Sequence, residues 1–383
     1  MHTPPEIDRA LRSAAPHELL DVIRDRLADR FQATAVDLLM ADYAMTMLQP
    51  VSVLPYTTEA VPVESEGPGE AFTAQHAVTR PEAAGSVTVF LPVSVRGDRL
   101  GVLSVDLPEA PAEHTLTELL HWAEALGHEI VVAERDTDLY LQARRAQRLT
   151  LAAEMQWQLL PGRSCSRPEY RIGAQLQPAY AIRGDNFDWS TSADQLLLTV
   201  SNGMGEGIEA SLLTNLAVNA LRNARRAGSP LIDQAMLADQ AVYATYRGNA
   251  YVATLLLRFE LDTGRVEAVD AGSPQLWLLR DERVEPVKFE QQLPLGMFED
   301  TPYHSQHFQL RPGDRLIVVS DGVYSHVGAP QDSPDILVEA MRETRDLPAA
   351  HVPPAILRRT ARYRDNLDLA DDATVVCLDW HGR

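Results

Sequence analysis

Four short acidic motifs stand at expected strand ends in the second half of this 383-residue chain. They are Arg183-Gly-Asp-Asn-Phe-Asp188, Ser201-Asn-Gly-Met-Gly205, Ser320-Asp-Gly-Val323 and Asp371-Asp-Ala-Thr374. Carboxylates set beside glycines at the rims of buried strands are how a fold gathers oxygen ligands for hard divalent cations. A single Asp-Gly usually marks a turn; four motifs in this order are a stronger signal. The second motif lacks its acid. Asn202 carries a neutral amide where the implied chemistry calls for a carboxylate. Glu206, four residues on, is one source of replacement charge; the alternative is a solvated carboxylate at a helix start, where negative charge is favourable.

The elements that must position these residues follow from periodicity. Leu196–Val200 is short, apolar and ends on a β-branched residue, as a buried strand does. Ile208–Leu221 has helical spacing and good helix formers. Further strands are expected at 170–177, 250–260, 265–271, 275–280, 315–320 and 374–379. Helices are expected at 209–227, 231–246, 334–343 and 351–362. Many strands around two clustered helices predict an α+β fold, a sandwich with helices outside.

The first third reads differently. Leu11, Leu19, Leu20, Ile23 and Leu27 predict one or two amphipathic helices before residue 31, followed by strand and turn over Val36–Met47. Thr57–Glu82, rich in Glu, Pro, Gly and Thr, is expected to hold a long loop. Ser86–Val95 and Leu100–Asp106 are two strands joined by Arg96-Gly-Asp-Arg99; the adhesion-like Arg-Gly-Asp triplet is read as a hairpin turn. From Thr115 to Leu160 helical spacing runs almost unbroken through a charged middle, Glu134–Arg148. That pattern suits a signalling helix that pairs with a second subunit, or two ordinary helices with a kink.

Composition narrows the function classes. Thirty-four basic against 54 acidic residues give a net charge of −20, which argues against nonspecific nucleic-acid binding and against docking on an anionic membrane. The two cysteines, Cys165 and Cys377, lack ligand-like spacing, so neither a disulfide framework nor a zinc site is expected. No signal pattern opens the chain and no apolar run approaches the roughly 20 residues that span a bilayer, so a cytoplasmic protein is expected.

Two resemblances sharpen these expectations. Over Glu6–Glu134 the order of helix, strands, hairpin and helix resembles the GAF sensory domain, carried by Phe90-Leu-Pro-Val and Gly101-Val-Leu-Ser-Val. It implies a six-stranded antiparallel sheet flanked by helices, often with a small-molecule pocket. No cysteine or histidine pair nominates haem or a bilin. Over Ala153–Asp379 the chain resembles the metal-dependent PPM (type 2C) phosphatases, more narrowly the SpoIIE-like branch of bacterial sigma-factor partner switches. The acidic motifs carry this, with Gln158-Leu-Leu-Pro161, Gln177-Pro-Ala-Tyr180, Asp270-Ala-Gly272, Leu293-Pro-Leu-Gly296 and Leu310-Arg-Pro-Gly-Asp-Arg-Leu316. The implied organisation is a GAF-like domain over 1–134, a helical linker over 135–164 and a phosphatase domain over 165–383.

The phosphatase resemblance implies a β-sandwich flanked by helices, two Mn²⁺ or Mg²⁺ ions at one edge, and hydrolysis of phosphoserine or phosphothreonine by metal-activated water, with no further catalytic side chain. Carried over residue by residue, the metal ligands are Asp185, Asn202 in place of the bridging aspartate, the Gly203 carbonyl, Asp321 and Asp371. Asp188 matches a further acidic position, its alternative being a turn or capping role, and Asp372 is the lesser ligand of its pair. Arg183, Glu206 and Ser273 depart from the family pattern, as does Asn202. Two readings follow. One is a sensor-regulated serine/threonine phosphatase, homodimeric, acting on a phosphorylated anti-sigma-factor antagonist. The other is a catalytically impaired pseudophosphatase that binds a partner and holds one metal or holds metal weakly.

Overall fold

In the computed structural model, which describes residues 6–51, 60–82, 85–145, 149–179, 182–272, 274–324, 333–363 and 371–383, the chain divides into two compact units, residues 1–148 and 149–383. The first contains α1 (Glu6–Ser13), α2 (Leu19–Phe31), β1 (Ala35–Ala41), β2 (Met47–Pro50), β3 (Val61–Pro62), α3 (Pro68–Ala74), β4 (Val78–Pro81), β5 (Val87–Val95), β6 (Asp98–Leu107), α4 (Glu113–Ala133) and α5 (Leu139–Ala143). Its strands form one antiparallel sheet in the order β3-β2-β1-β6-β5-β4. Side chains two apart share a sheet face. Val89, Leu91, Leu103 and Val105 therefore pack together against α1, α2 and α4, while Leu39 and Val102 meet Ala71 and Phe72 of α3 on the other side. The β5–β6 turn has positive φ at Arg96 (53°) and Gly97 (90°) and closes on the pair Val95 and Asp98. Two successive positive φ values make the tight turn whose twist matches a hairpin, so the Arg-Gly-Asp triplet is hairpin backbone.

Two expectations need correction here. Thr57–Glu82 contains β3, α3 and β4 within its described part; seven residues are too few for α3 to display a helical period. The almost unbroken helical spacing from Thr115 to Leu160, read as a signalling helix or as two kinked helices, is divided among three helices in the described residues. α4 stops at Ala133, and α5 folds back so that Tyr140 and Ala143 are buried in the first unit's core. Thr137 and Asp138, between α4 and α5, are poor helix-interior residues because their short polar side chains compete for the backbone. The third helix, α6 (Leu151–Leu159), belongs to the second unit.

The second unit continues with β7 (Ser164–Ser166), β8 (Tyr170–Gln177), β9 (Asp185–Thr191), β10 (Gln195–Gly203), α7 (Gly207–Arg226), α8 (Leu231–Tyr246), β11 (Val252–Glu260), β12 (Arg265–Ala271), β13 (Gln275–Arg280), β14 (Arg283–Pro286), β15 (Gln306–Gln309), β16 (Arg315–Val319), α9 (Ser333–Glu343), α10 (Val352–Tyr363) and β17 (Ala373–Trp380). Two sheets result, ordered β15-β12-β11-β10-β9 and β14-β13-β16-β17-β8-β7. Leu197, Leu256 and Val269 of the first pack on α7 and α8 through Leu221, Ala235 and Ala238. Ile317, Val375 and Cys377 of the second pack on α9 and α10 through Leu337, Met341 and Ile356. The alternating residues Leu198, Val200, Leu257, Val318, Val376 and Leu378 are buried as well, and Phe259 of β11 stacks on Trp380 of β17 across the two sheets. Fold class is thus mixed α and β, with helices over each sheet.

Candidate metal centre

Backbone register builds one wall of the site. β9 and β10 are antiparallel neighbours, and Asp185 at the start of β9 stands opposite Asn202 near the end of β10. β10 continues through Gly203, so Asn202 is a strand residue, not part of the turn. Gly184 has φ of 89° and Gly203 lies against the Thr214 hydroxyl of α7, where a Cβ would collide. Thr214 also donates to the Gly184 carbonyl at 2.7 Å. These glycines let α7 sit directly on the strand ends.

The other wall comes from β16 and β17. Asp321 opens a 3₁₀ turn immediately after β16, and Asp371 and Asp372 lead into β17. Val319 pairs with Val375, so both ends fall together. Gly322 is required there because a Cβ would run into the Asp372 carbonyl. Side chains of the two walls meet where Asn202 Nδ2 donates to Asp321 Oδ1 at 2.6 Å.

Each acid has a distinct environment. Asp185 is fully buried and neither carboxyl oxygen has a hydrogen-bond partner. Burial, followed by the nearby Asp372 charge, raises its pKa well above the usual range, against weaker opposition from Ser320 and Thr374. Burial and the Asp321 charge push Asp371 up to about 6. Asp372 is also fully buried but saturated. Its Oδ1 accepts from the Ala179 N–H at 2.8 Å, and its Oδ2 from Gln156 Nε2 at 2.7 Å and the N–H groups of Arg183, Gly184 and Asp185 at 2.9, 3.0 and 3.3 Å. Five donors leave it a structural hub and not a ligand.

Two sequence candidates lie elsewhere. Asp188 is three residues beyond Asp185 on a strand and so faces the opposite side. There Arg222 grips both its oxygens, at 2.8 and 3.2 Å, and Arg225 adds a bond at 2.9 Å. It is neither ligand, turn nor cap. Glu206 is exposed at the residue preceding α7, makes no capping hydrogen bond, and pairs with Arg183 at 3.6 Å; it does not replace the missing charge at Asn202. Arg183 in turn lowers the pKa of Asp371. Ser273 and Tyr180 lie outside the described residues. Asp314, in the Leu310–Leu316 motif, pairs with Arg280 and is structural. Gly296, in the Leu293–Gly296 motif, donates its N–H to buried Asp239 at 2.8 Å.

The donor chemistry fits a hard cation on the Asp185 side, where neither of two buried carboxyl oxygens has a hydrogen-bond partner. It fits a bridged pair poorly. The Asn202 N–H is directed at Asp321, and among the described residues no three His, Cys, Asp or Glu side chains converge as a metal-binding group.

Comparison with known proteins places the second unit in a family. The family model "Stage II sporulation protein E (SpoIIE)" matches residues 192–381. The second unit carries a SpoIIE-family phosphatase domain. That match contains Asn202, Gly203, Asp321 and Asp371 and begins seven residues after Asp185. The chain is 21% identical to phosphoserine phosphatase RsbU of Bacillus subtilis over 60% of its own length and 68% of that protein. It is 22% identical to phosphoserine phosphatase RsbP of the same organism over 46% of its length and 43% of RsbP. Its fold is similar to the RsbU and RsbW domains of Rv1364c from Mycobacterium tuberculosis, with TM-score 0.51, 22% identity, and coverage of 56% of this chain and 61% of that one. The aligned part thus spans less than two thirds of RsbP and of the mycobacterial chain. Among the described residues no helix is long and apolar enough to cross a membrane.

Proposed function

We propose that this chain is a metal-dependent protein serine/threonine phosphatase whose centre is Asp185, Asn202, the Gly203 carbonyl, Asp321 and Asp371. The observation that carries the reading is Asp185: a buried carboxyl with no hydrogen bond on either oxygen is costly unless something positive meets it. Mn²⁺ or Mg²⁺ in such a site supplies an activated water and neutralises phosphoryl oxygens. The protein's own residues position that chemistry. Asp372 gathers the 183–185 backbone, Gly322 brings Asp321 beside Asp371, and the partly exposed Arg183 supplies positive charge suited to a phosphoryl oxygen. The two sheets read as a sandwich with this centre at one edge. By resemblance to partner-switching phosphatases, the substrate is a phosphorylated anti-sigma-factor antagonist in the cytoplasm. The first unit, with its six antiparallel strands, reads as a GAF-like sensor that regulates the second in a homodimer.

A second reading is favoured by one contact. The Asn202–Asp321 hydrogen bond ties together two positions that a bridging cation would otherwise join, which suits an impaired or pseudocatalytic chain that binds a partner. Turnover of p-nitrophenyl phosphate and of a phosphoprotein with Mn²⁺, in wild type and Asn202→Asp, separates the two. Comparable turnover by both supports the active reading; turnover by Asn202→Asp alone refutes it in favour of the impaired one.

A further inference from the structure

α6 reaches the candidate centre through Gln156 and is anchored along its length. Thr150 caps it, its hydroxyl accepting from the Ala153 N–H at 3.2 Å. Ser211 of α7 donates to the Ala152 carbonyl at 3.2 Å and Arg222 to the Leu159 carbonyl at 2.7 Å. The Arg163 guanidinium lies 4.7 Å from the Trp157 ring centroid. Between these anchors the buried Gln156 uses Nε2 twice, donating to the Asp185 carbonyl at 3.0 Å and to Asp372 Oδ2 at 2.7 Å. The Asp185 carbonyl can only accept, so the amide orientation is chemically determined. Its Oε1 is buried with no hydrogen-bond partner.

This arrangement matters because the Asp185 carboxyl has no hydrogen bonds of its own to fix it. Its position is set by its backbone. The N–H side is held by Asp372 at 3.3 Å, the longest of that hub's contacts, and the carbonyl side by Gln156. A helix-to-sheet contact needs only apolar filling; a buried amide carries a desolvation cost, which its hydrogen bonds offset.

We propose that Gln156 is a positioning residue of the metal centre, clamping the backbone of Asp185 to the Asp372 carboxylate so that the Asp185 oxygens are presented for a cation. The proposal rests on the phosphatase reading above for its metal readout. Gln156→Met keeps the volume and removes both hydrogen bonds; Gln156→Glu sets a negative charge against Asp372. Thermal melting checks that each variant folds. Mn²⁺ affinity by calorimetry is expected to fall about tenfold in Gln156→Met, as for partners that orient metal ligands, and further in Gln156→Glu. Amide hydrogen exchange without metal is expected to quicken at Arg183, Gly184 and Asp185 relative to the rest of β9. Phosphatase turnover at saturating Mn²⁺ should change less than the Mn²⁺ requirement. Unchanged exchange at those three amides overturns the proposal, as does faster exchange with unchanged Mn²⁺ affinity. A wild-type chain that binds no Mn²⁺ overturns the phosphatase reading and, with it, the cation half of this proposal, while exchange still decides whether Gln156 holds Asp185.

Discussion

Replacing Asn202 by aspartate turns one contact between the two walls into a carboxylate pair. Asn202 Nδ2 and Asp321 Oδ1 are 2.6 Å apart. At an effective dielectric of about 20, suited to partly buried groups, two unit charges that close repel by about 6 kcal/mol. The pair would share a proton before bearing that cost. Protonating an ordinary aspartate at neutral pH costs about 4 kcal/mol, which sets the ceiling. The lost hydrogen bond to a charged acceptor, worth about 1.5–3 kcal/mol, gives the floor. Metal-free Asn202→Asp is therefore expected to lose about 2–4 kcal/mol and, at 2–4 °C per kcal/mol for a unit of this size, to melt roughly 5–15 °C below wild type. A bound divalent cation would reverse the sign, because its charge would offset the repulsion between the two carboxylates. Melting curves in EDTA and in a Mn²⁺ series measure both effects. Wild type should gain modestly from Mn²⁺ and Asn202→Asp should gain more, overtaking its own EDTA value by the whole deficit. A variant that melts with wild type in EDTA, or gains no more from Mn²⁺, would refute the idea that the amide occupies the cation's structural place.

Three further outcomes follow from the geometry. Asp188→Ala leaves Arg222 and Arg225 facing each other without their shared anion, and should cost about 3 kcal/mol in urea unfolding while leaving Mn²⁺ affinity intact; a loss of affinity with unchanged stability would restore it as a ligand. Gly322→Ala sets a Cβ against the Asp372 carbonyl and must shift the backbone that carries Asp321, and should lower stability by at least about 2 kcal/mol together with Mn²⁺ affinity. The Tyr170 phenol is fully buried, its hydroxyl lacks a partner, and burial pushes its pKa up to about 12. In the unfolded chain it ionises near 10. Between those values the unfolded state holds fewer protons, so the stability present below pH 10 is lost as pH rises toward 12; phenolate absorbance of this residue appearing near pH 10 without unfolding would contradict the burial argument.

Where apolar residues alternate, as in Tyr170–Gln177, or cluster in a short run, as in Arg265–Ala271 and Gln275–Arg280, strand and sequence pattern coincide end to end. β9 was illegible for a physical reason. Asp185 serves one face and Asp188 the other, so the segment is polar on both and shows no period. Once the strand is known, the three-residue spacing separates the two acids, one toward the metal position and one toward the arginines of α7. Gln156 was invisible for another reason: its acceptors lie 29 and 216 positions away, and a glutamine within a helix carries no spacing signal of its own. The missing charge at Asn202 was legible, but its consequence was not. From sequence the change is a subtraction from a metal site. In the fold it is an exchange, in which an amide hydrogen satisfies Asp321 while Asp185, across the same site, keeps two oxygens that nothing satisfies. The asymmetry predicts that any cation first engages Asp185, and that Asn202 governs what a second one would gain.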